Sequence, residues 1–429
     1  MTSLTPTPLA EIEKTVQRRA KDEALDLDSA ATQRALRVLV EDEIVRWNDD
    51  FRRGLRPYPL PDADLVSERA MRNLTGYGPL GPLLADDDVW EVMINAPDAI
   101  FVKRHCGPSG YHDEVFHDDE HVIRTLTKIL DDASTAHRKL DPSEGLQDAQ
   151  LDDGARLHIV HGDVARGGHV MVNIRKFTGV AFRNLDELVD RRMLTAPAAD
   201  FLRSCVEARQ TIVFAGAPGA GKTTMLNCCA VELDPSLRVV VAEEVFEADI
   251  ALPNVASMQT RAARADRPEV DLRRLVAGFL RMAPDIAIVG EVRDREALPL
   301  LLTLSSGVKG FTTIHAGSAR QALTRLRFIC QLSDTSNELP MSALNNLVTE
   351  AIDVVVHCVR TPDGPRVESI VCVEDSSAGA TAFATTSVFT KDPQTESLAW
   401  TGDLPVRIGQ AFADNGLHLR ATLTGGTGS

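Results

Sequence analysis

No window of the 429-residue chain approaches the about 18 consecutive apolar residues that a membrane-spanning helix needs. Its first residues, MTSLTPTPLAEIEK, lack the basic start and apolar run of a signal peptide. The expectation is a cytoplasmic protein, at most peripheral to a membrane. Cysteine is scarce. The seven cysteines are odd in number and show no CxxC spacing, which excludes a disulfide framework and a zinc ribbon. They read as reduced thiols, mostly core filler, and the adjacent Cys228 and Cys229 would point in different directions on a helix. No internal repeat and no long low-complexity segment is present. Positive charge is short as well: 46 Lys and Arg against 62 Asp and Glu give a net charge of −16, which argues against broad non-specific nucleic-acid binding. The deficit lies mainly in the first 150 residues, where 29 acids meet 18 bases, a solvated face or a surface for a partner. Apolar material is ample. At 44% hydrophobic and 25% charged, the chain is too apolar to be disordered throughout and long enough for two or three domains.

Along the chain, residues 1–10 are rich in Thr, Ser and Pro and read as disordered. Helical periodicity follows, with Leu36, Leu39, Val40 and Ile44 on one face. It breaks at GLRPYPLPDAD, where Pro57, Pro59 and Pro61 cannot continue a helix. Residues 1–70 are therefore a helical N-terminal arm and linker. Residues 71–187 form a small α+β domain. VWEVMIN and AIFVKR are strands joined at Ala96-Pro97-Asp98, and ARLHIVHG and HVMVNIRKF are two more. His121 to Leu130 is an amphipathic helix with Val122, Ile123, Leu126, Ile129 and Leu130 apolar. Residues 188–375 alternate strand and helix, the mark of a parallel sheet, with strands TIVFA (211–215), RVVVAE (238–243), DIAIVG (285–290) and GFTTIH (310–315). Leu272, Leu275, Val276, Phe279 and Leu280 make one helical stripe between them. Residues 376–429 are a C-terminal extension with weak strand signals and a flexible tail, TLTGGTGS.

The chemistry concentrates in Gly216, Ala217, Pro218, Gly219, Ala220, Gly221, Lys222 and Thr223, a match to G-x-x-x-x-G-K-[ST], with Thr224 following. Such a match arises by chance in roughly one or two per hundred chains of this length, so its context must carry the assignment. Here a strand precedes it and a helical run follows. The glycines let backbone N–H groups turn inward around phosphate oxygens at a helix N-terminus. Lys222 would reach the β- and γ-phosphates and the Thr223 hydroxyl would ligate Mg²⁺, so the implied cofactors are ATP and Mg²⁺. In open α/β sheets ligands bind at the carboxyl ends of strands. DIAIVG delivers Glu291 there, RVVVA delivers Glu243 and Glu244, and GFTTI delivers His315, which can donate a hydrogen bond to a γ-phosphate or its water. Ser318 would cap the helix that follows.

In this order, GAPGAGKT, VVVAEEVFE, LRMAPDIAIVGEVRDREA and GFTTIHAGSARQALTRL resemble the ATPases of type II and type IV secretion and pilus assembly. The branch most similar is the CpaF/TadA type of tight-adherence (Flp) pili, with an actinobacterial flavour. GYGPLGPLLADDDVWEVMINAPDAIFV, DGARLHIV and VNIRKF are similar to that family's N-terminal domain, so the resemblance runs from Tyr77 to Glu374. It implies a RecA-like P-loop motor domain preceded by a PAS-like α+β domain and a homohexameric ring. The ring would act on an inner-membrane platform protein from the cytoplasmic face. Carried over by motif, Glu243 is the water-activating acid, Glu244 and Glu291 lie near Mg²⁺, with Glu291 the Walker B acid, and His315 senses the γ-phosphate. Arg156, Arg175 and Arg261 match arginines near the phosphates or a subunit boundary. The family usually reads Ile-Glu-Asp where this chain has Ala242-Glu243-Glu244, which leaves open how those two acids divide their work. The tetracysteine zinc insert of some relatives is absent. The function implied is an ATP-hydrolysing motor for pilus assembly or secretion. Its competitors are a nucleotide-gated scaffold with little hydrolysis, a small-molecule P-loop kinase and a nucleic-acid motor with the same core.

Overall fold

The computed structural model describes residues 7–23, 30–60, 62–104, 107–133, 139–176, 182–261, 263, 267–333, 339–375 and 382–424. The chain divides into two units, Met1–Thr178 and Gly179–Ser429.

The first unit begins with three helices, Pro8–Asp22, Ala30–Arg52 and Ala63–Thr75. The first starts earlier than the Thr/Ser/Pro composition suggests. Pro8 tolerates the first helical position, where its missing N–H is unneeded, and Thr7 accepts a bond from the Ala10 N–H at 3.3 Å. The expected disorder of residues 1–10 therefore fails from Pro8 onward, and residues 1–6 lie outside the described ones. Leu36, Leu39, Val40 and Ile44 are all buried, against Ile12, Val16, Ala70 and Met71. The proline segment folds back on the second helix. Trp47 Nε1 donates to the Tyr58 carbonyl at 3.1 Å, and the Arg56 guanidinium lies 4.0 Å above the Trp47 ring.

Six strands follow in this unit: β1 (Val89–Ala96), β2 (Ala99–Arg104), β3 (Gly110–Tyr111), β4 (Leu146–Gln150), β5 (Arg156–Val160) and β6 (Met171–Arg175). They form one antiparallel sheet in the order β3-β2-β1-β6-β5-β4. The helix Asp119–Asp132 packs on it through Val122, Leu126, Ile129 and Leu130. Ile123, expected on the same face, is 40% exposed, and His121 and Thr125 are buried instead.

The second unit holds β7 (Ile212–Gly216), β8 (Val239–Glu243), β9 (Val255–Gln259), β10 (Ile286–Val292), β11 (Lys309–Ile314), β12 (Val354–Thr361), β13 (Gly364–Val373), β14 (Thr385–Lys391) and β15 (Leu398–Trp400). They form one sheet in the order β15-β14-β13-β12-β7-β11-β10-β8-β9. β9 through β12 pair in parallel, and β12 through β15 are antiparallel. Residues alternate between two cores because strand side chains alternate faces. Ile212, Phe214, Val239, Val241, Ile286 and Ile288 face one core, and Val213, Ala215, Val240, Ala242, Ala287 and Val289 the other. Helices cover both faces, which is why the parallel strands read as continuous apolar runs. The stripe over 272–280 is split: the helix ends at Ala277, a 3₁₀ turn spans Phe279–Met282, and Leu280 is exposed. β14 and β15, from residues set apart in the sequence as an extension, lengthen this same sheet, and Phe389 and Phe412 pack on Phe201. Residues 425–429 of the expected tail lie outside the described ones. The six described cysteines are unpaired and buried.

Candidate nucleotide site

β7 ends at Gly216, and the turn after it feeds the helix Lys222–Val231. Gly216 runs so close to β12 that a Cβ there would stand 2.3 Å from the Cys358 carbonyl oxygen. Gly221 caps the helix in the left-handed region, at φ 87°, and makes no side-chain cap bond. The N–H groups of a helix N-terminus are what an anion needs. Ala217 and Pro218, at the crest of the turn, are exposed.

Because β7, β11, β10 and β8 are parallel neighbours, their carboxyl ends share one edge. That edge collects five side chains from four segments. The buried Lys222 Nζ donates to the Ala217 carbonyl at 3.1 Å and lies 3.3 Å from His315 Nδ1. His315 Nε2 lies 2.7 Å from Glu291 Oε1. Nδ1 is also 3.2 Å from the Gly216 carbonyl. Glu291 Oε2 accepts from Arg293 at 2.7 Å, and Arg293 donates to Glu244 at 2.8 Å. The result is one chain of charges, Lys222–His315–Glu291–Arg293–Glu244. Burial by itself would raise the Glu291 pKa; hydrogen bonds from His315 and Arg293 outweigh it and pull the value down to about 2.

A bulge aims Glu291. The β10–β11 pairing runs from Val289↔Thr312 to Val292↔Ile314, one residue more on β10 than on β11, at Gly290 and Glu291. The Thr312 and Thr313 hydroxyls donate to the Val289 and Gly290 carbonyls at 2.7 and 2.8 Å. Gly290 has no room for a side chain, since a Cβ would stand 2.9 Å from Glu243 Cγ.

Glu243 itself turns away from open solvent, at 2% exposure, and accepts the Glu247 and Ala248 N–H groups, each at 3.0 Å. It thereby shapes the loop after β8, and that loop carries Glu247 to 3.4 Å from the Thr223 hydroxyl. Glu247 and Arg293 were not singled out in the sequence, although each stands two to four residues beyond an acid that was. Arg360, at the end of β12, donates to the Gly219 carbonyl at 3.2 Å, and no local pattern marks it. Of the arginines expected at the phosphates, Arg261 lies beyond edge strand β9, with its backbone bridged to Val270 and its guanidinium on the Pro268 carbonyl. Arg156 and Arg175 face each other across β5 and β6 in the first unit, and Glu91 of β1 is the other neighbour of Arg175. Ser318 Oγ accepts from the Gln321 N–H at 3.1 Å, the capping role expected of it.

Residues 73–384 match the family described as type II/IV secretion system protein. A putative conjugal transfer protein of Mycobacterium tuberculosis is 32% identical over 301 residues, covering 68% of this chain and 83% of that protein. The type IV secretion system protein PtlH of Bordetella pertussis is 30% identical over 301 residues, 65% of this chain and 87% of its own. Among solved structures, the VirB11 ATPase of the Brucella suis type IV secretion system, in complex with sulphate, is 25% identical over 68% of this chain and 94% of that one, with a TM-score of 0.36.

Proposed function

The chain belongs to the family of type II/IV secretion system proteins, matched over 73–384, and on that premise we propose that it is an ATP-hydrolysing motor of a pilus-assembly or secretion machine. The observation that carries the reading is the run of contacts from Lys222 through His315 to Glu291, at the strand ends beside a glycine turn shaped for phosphate. Phosphoryl transfer to water asks a protein mainly for positioning and charge stabilisation. Lys222 and the N–H groups of residues 217 and 219–224 would hold the phosphate chain. His315, already oriented by Glu291, would move from Lys222 to the terminal phosphate. Glu243, at the end of β8, and Glu247, on the loop after it, would share the orientation of the water and the removal of its proton. Arg156, Arg175 and Arg261 are assigned by the family resemblance as further cations for the phosphates or a subunit boundary.

Among the described residues no group of three or more His, Cys, Asp or Glu is arranged to hold a metal ion. Mg²⁺ on a nucleotide needs no such cage, because it keeps several waters and takes one or two protein oxygens besides those of phosphate. Thr223, Glu244, Glu247 and Glu291 supply hard oxygen donors of that kind, so the residues fit the ion. Once bound, Mg²⁺ would neutralise charge developing on the phosphates. The finer assignment, a CpaF/TadA-type motor of Flp pili working as a homohexamer on an inner-membrane platform protein, rests on the motif set from Tyr77 to Glu374. A cytoplasmic place at the membrane face rests on the same motif set; no helix among the described residues is long and apolar enough to cross a membrane.

The test is nucleotide binding and phosphate release with ATP and Mg²⁺. Lys222→Ala should weaken ATP binding by about 100-fold, roughly 3 kcal/mol, since the turn loses its cation. Glu291→Gln should bind ATP near normally and lose turnover. A wild-type chain that binds ATP and releases no phosphate would leave the nucleotide-gated scaffold in its place.

A further inference from the structure

On the far side of β7 from β11, β12 runs in register His357↔Ala215 and Cys358↔Gly216, so it supports the base of the phosphate turn. Its other neighbour, β13, slips against it at that level. His357 pairs with Ser369 and Cys358 with Val367, which leaves Glu368 as the extra residue of a β-bulge. A bulge gives up a regular pair and re-aims a side chain. Here it sets Glu368 Oε2 at 3.0 Å from His357 Nδ1. The ring is buried, at 4% exposure, while the carboxylate is half-exposed. Among the influences on this ring's pKa is a hydrogen bond to the backbone of Ala316, the residue after His315, which raises the value as an accepting carbonyl does. Both partners are acceptors, and each asks the ring for an N–H. Burial opposes charging this ring and lowers its pKa. A histidine that only needed one satisfied nitrogen in a core would not require a carboxylate delivered by a bulge on a second strand.

We propose that His357, clamped by the bulged Glu368, is a positioning residue for the reaction assigned above: it fixes the Ala316 carbonyl and, through it, the place of His315 against Lys222 and Glu291. The proposal rests on reading this edge as an ATPase centre. It concerns a residue that touches neither phosphate nor metal and acts only through the backbone next to His315. Outer partners of metal ligands hold the inner side chain in its working rotamer, and removing them typically lowers metal affinity or activity by 10–100-fold; the clamp acts on His315 in the same way.

The experiment uses the full chain with Glu368→Ala, His357→Ala and His357→Gln. Amide hydrogen exchange of peptides spanning 315–318 is followed without nucleotide, and kcat and KM for ATP are measured in parallel. Glu368→Ala, at the half-exposed end of the clamp, and His357→Ala should speed exchange across 315–318 by about tenfold, and exchange in the first unit should stay as it was. They should lower kcat by about tenfold with KM within about threefold, since the phosphate turn is left alone. His357→Gln keeps an N–H donor for the Ala316 carbonyl and should recover most of both readouts. Unchanged exchange at 315–318 in Glu368→Ala and His357→Ala would remove the clamp. Faster exchange with wild-type kcat would remove its part in positioning. If the wild-type chain releases no phosphate, it is the ATPase reading that fails, and the exchange comparison still decides the clamp.

Discussion

At Glu291 two effects oppose each other. Burial favours the neutral acid, whereas the N–H groups of His315 and Arg293 favour the carboxylate, and the second effect wins. The folded pKa of about 2 lies below the ordinary carboxyl value of about 4.3, so the carboxylate stabilises the folded chain fully above about pH 5. That contribution is lost as the pH falls through the folded value. Glu291→Gln should therefore be less stable than wild type at pH 7, by about 1–3 kcal/mol, with Arg293 and His315 each deprived of a charged acceptor. The gap should close as the pH is lowered from 5 toward 2. Urea midpoints at a series of pH values check this, and a gap independent of pH would mean that the carboxylate's charge is not what the protein uses. Lys222 differs in kind. Its ammonium rests on the Ala217 carbonyl of its own turn, a neutral partner that an anionic phosphate would displace.

The glycine turn is sensitive to a single carbon atom. At Gly216 an added Cβ would meet the Cys358 carbonyl oxygen at 2.3 Å, so Gly216→Ala must push β7 from β12 or tilt the turn. Overpacking of this sort costs about 1–3 kcal/mol. Gly216→Ala should lower the melting temperature and weaken ATP binding together, because strand pairing and phosphate turn share that residue. A variant with wild-type melting and wild-type affinity would show that the turn has slack. Gly290→Ala acts on the neighbouring acid strand. Its Cβ would press on Glu243 Cγ and loosen the hold of Glu243 on the Glu247 and Ala248 N–H groups, which should lower kcat with ATP affinity kept, in the same phosphate-release assay. The two bulges, at Glu291 and at Glu368, belong to this scale as well, since each spends one ladder pair on aiming a carboxylate.

For the second unit as a whole, the end of the sheet away from the nucleotide site is tied by Asp353. This carboxylate, 2% exposed, accepts the Thr211 N–H at the start of β7 and the Lys309 ammonium at the start of β11, each at 2.8 Å, and pairs with Arg407 of the helix Val406–Asp414. Asp353→Ala would leave two cations without their acid and should cost about 3–5 kcal/mol in urea unfolding. ATP affinity of the folded protein should stay near normal, since the turn lies at the other end of the strands. Loss of affinity at full stability would place Asp353 in the site's machinery instead of its scaffold. The assembly expected of this family is a ring, and light scattering with ATP and Mg²⁺ should show a species near six chains. Monomer alone at micromolar concentration would count against the ring.

Much of the fold could be read locally. The strands β7, β8, β10 and β11 begin and end within about two residues of their apolar runs, because strands covered on both faces need unbroken hydrophobicity. The glycine turn between β7 and the helix Lys222–Val231 could be read because its glycines answer a backbone requirement that other residues rarely meet. The stripe at Leu36, Leu39, Val40 and Ile44 could be read from its period. The same signals misled where composition stood in for geometry, as at Pro8, which starts a helix, and at Ile123, which faces solvent. Strand order was beyond them. Lys222 and His315 meet across 93 residues because β11 inserts beside β7, and pairings of that range are decided by burial summed over the whole sheet, not by any window of sequence. The turn of Glu243 toward Glu247 and Ala248, the addition of β14 and β15 to the sheet, and the bulge that brings Glu368 to His357 were likewise settled only in the folded chain. Sequence marked Lys222, Glu243, Glu244, Glu291 and His315, and passed over Glu247, Arg293 and Arg360. Tertiary structure decided which of them touch, because a hydrogen bond goes to whichever partner packing leaves within about 3 Å.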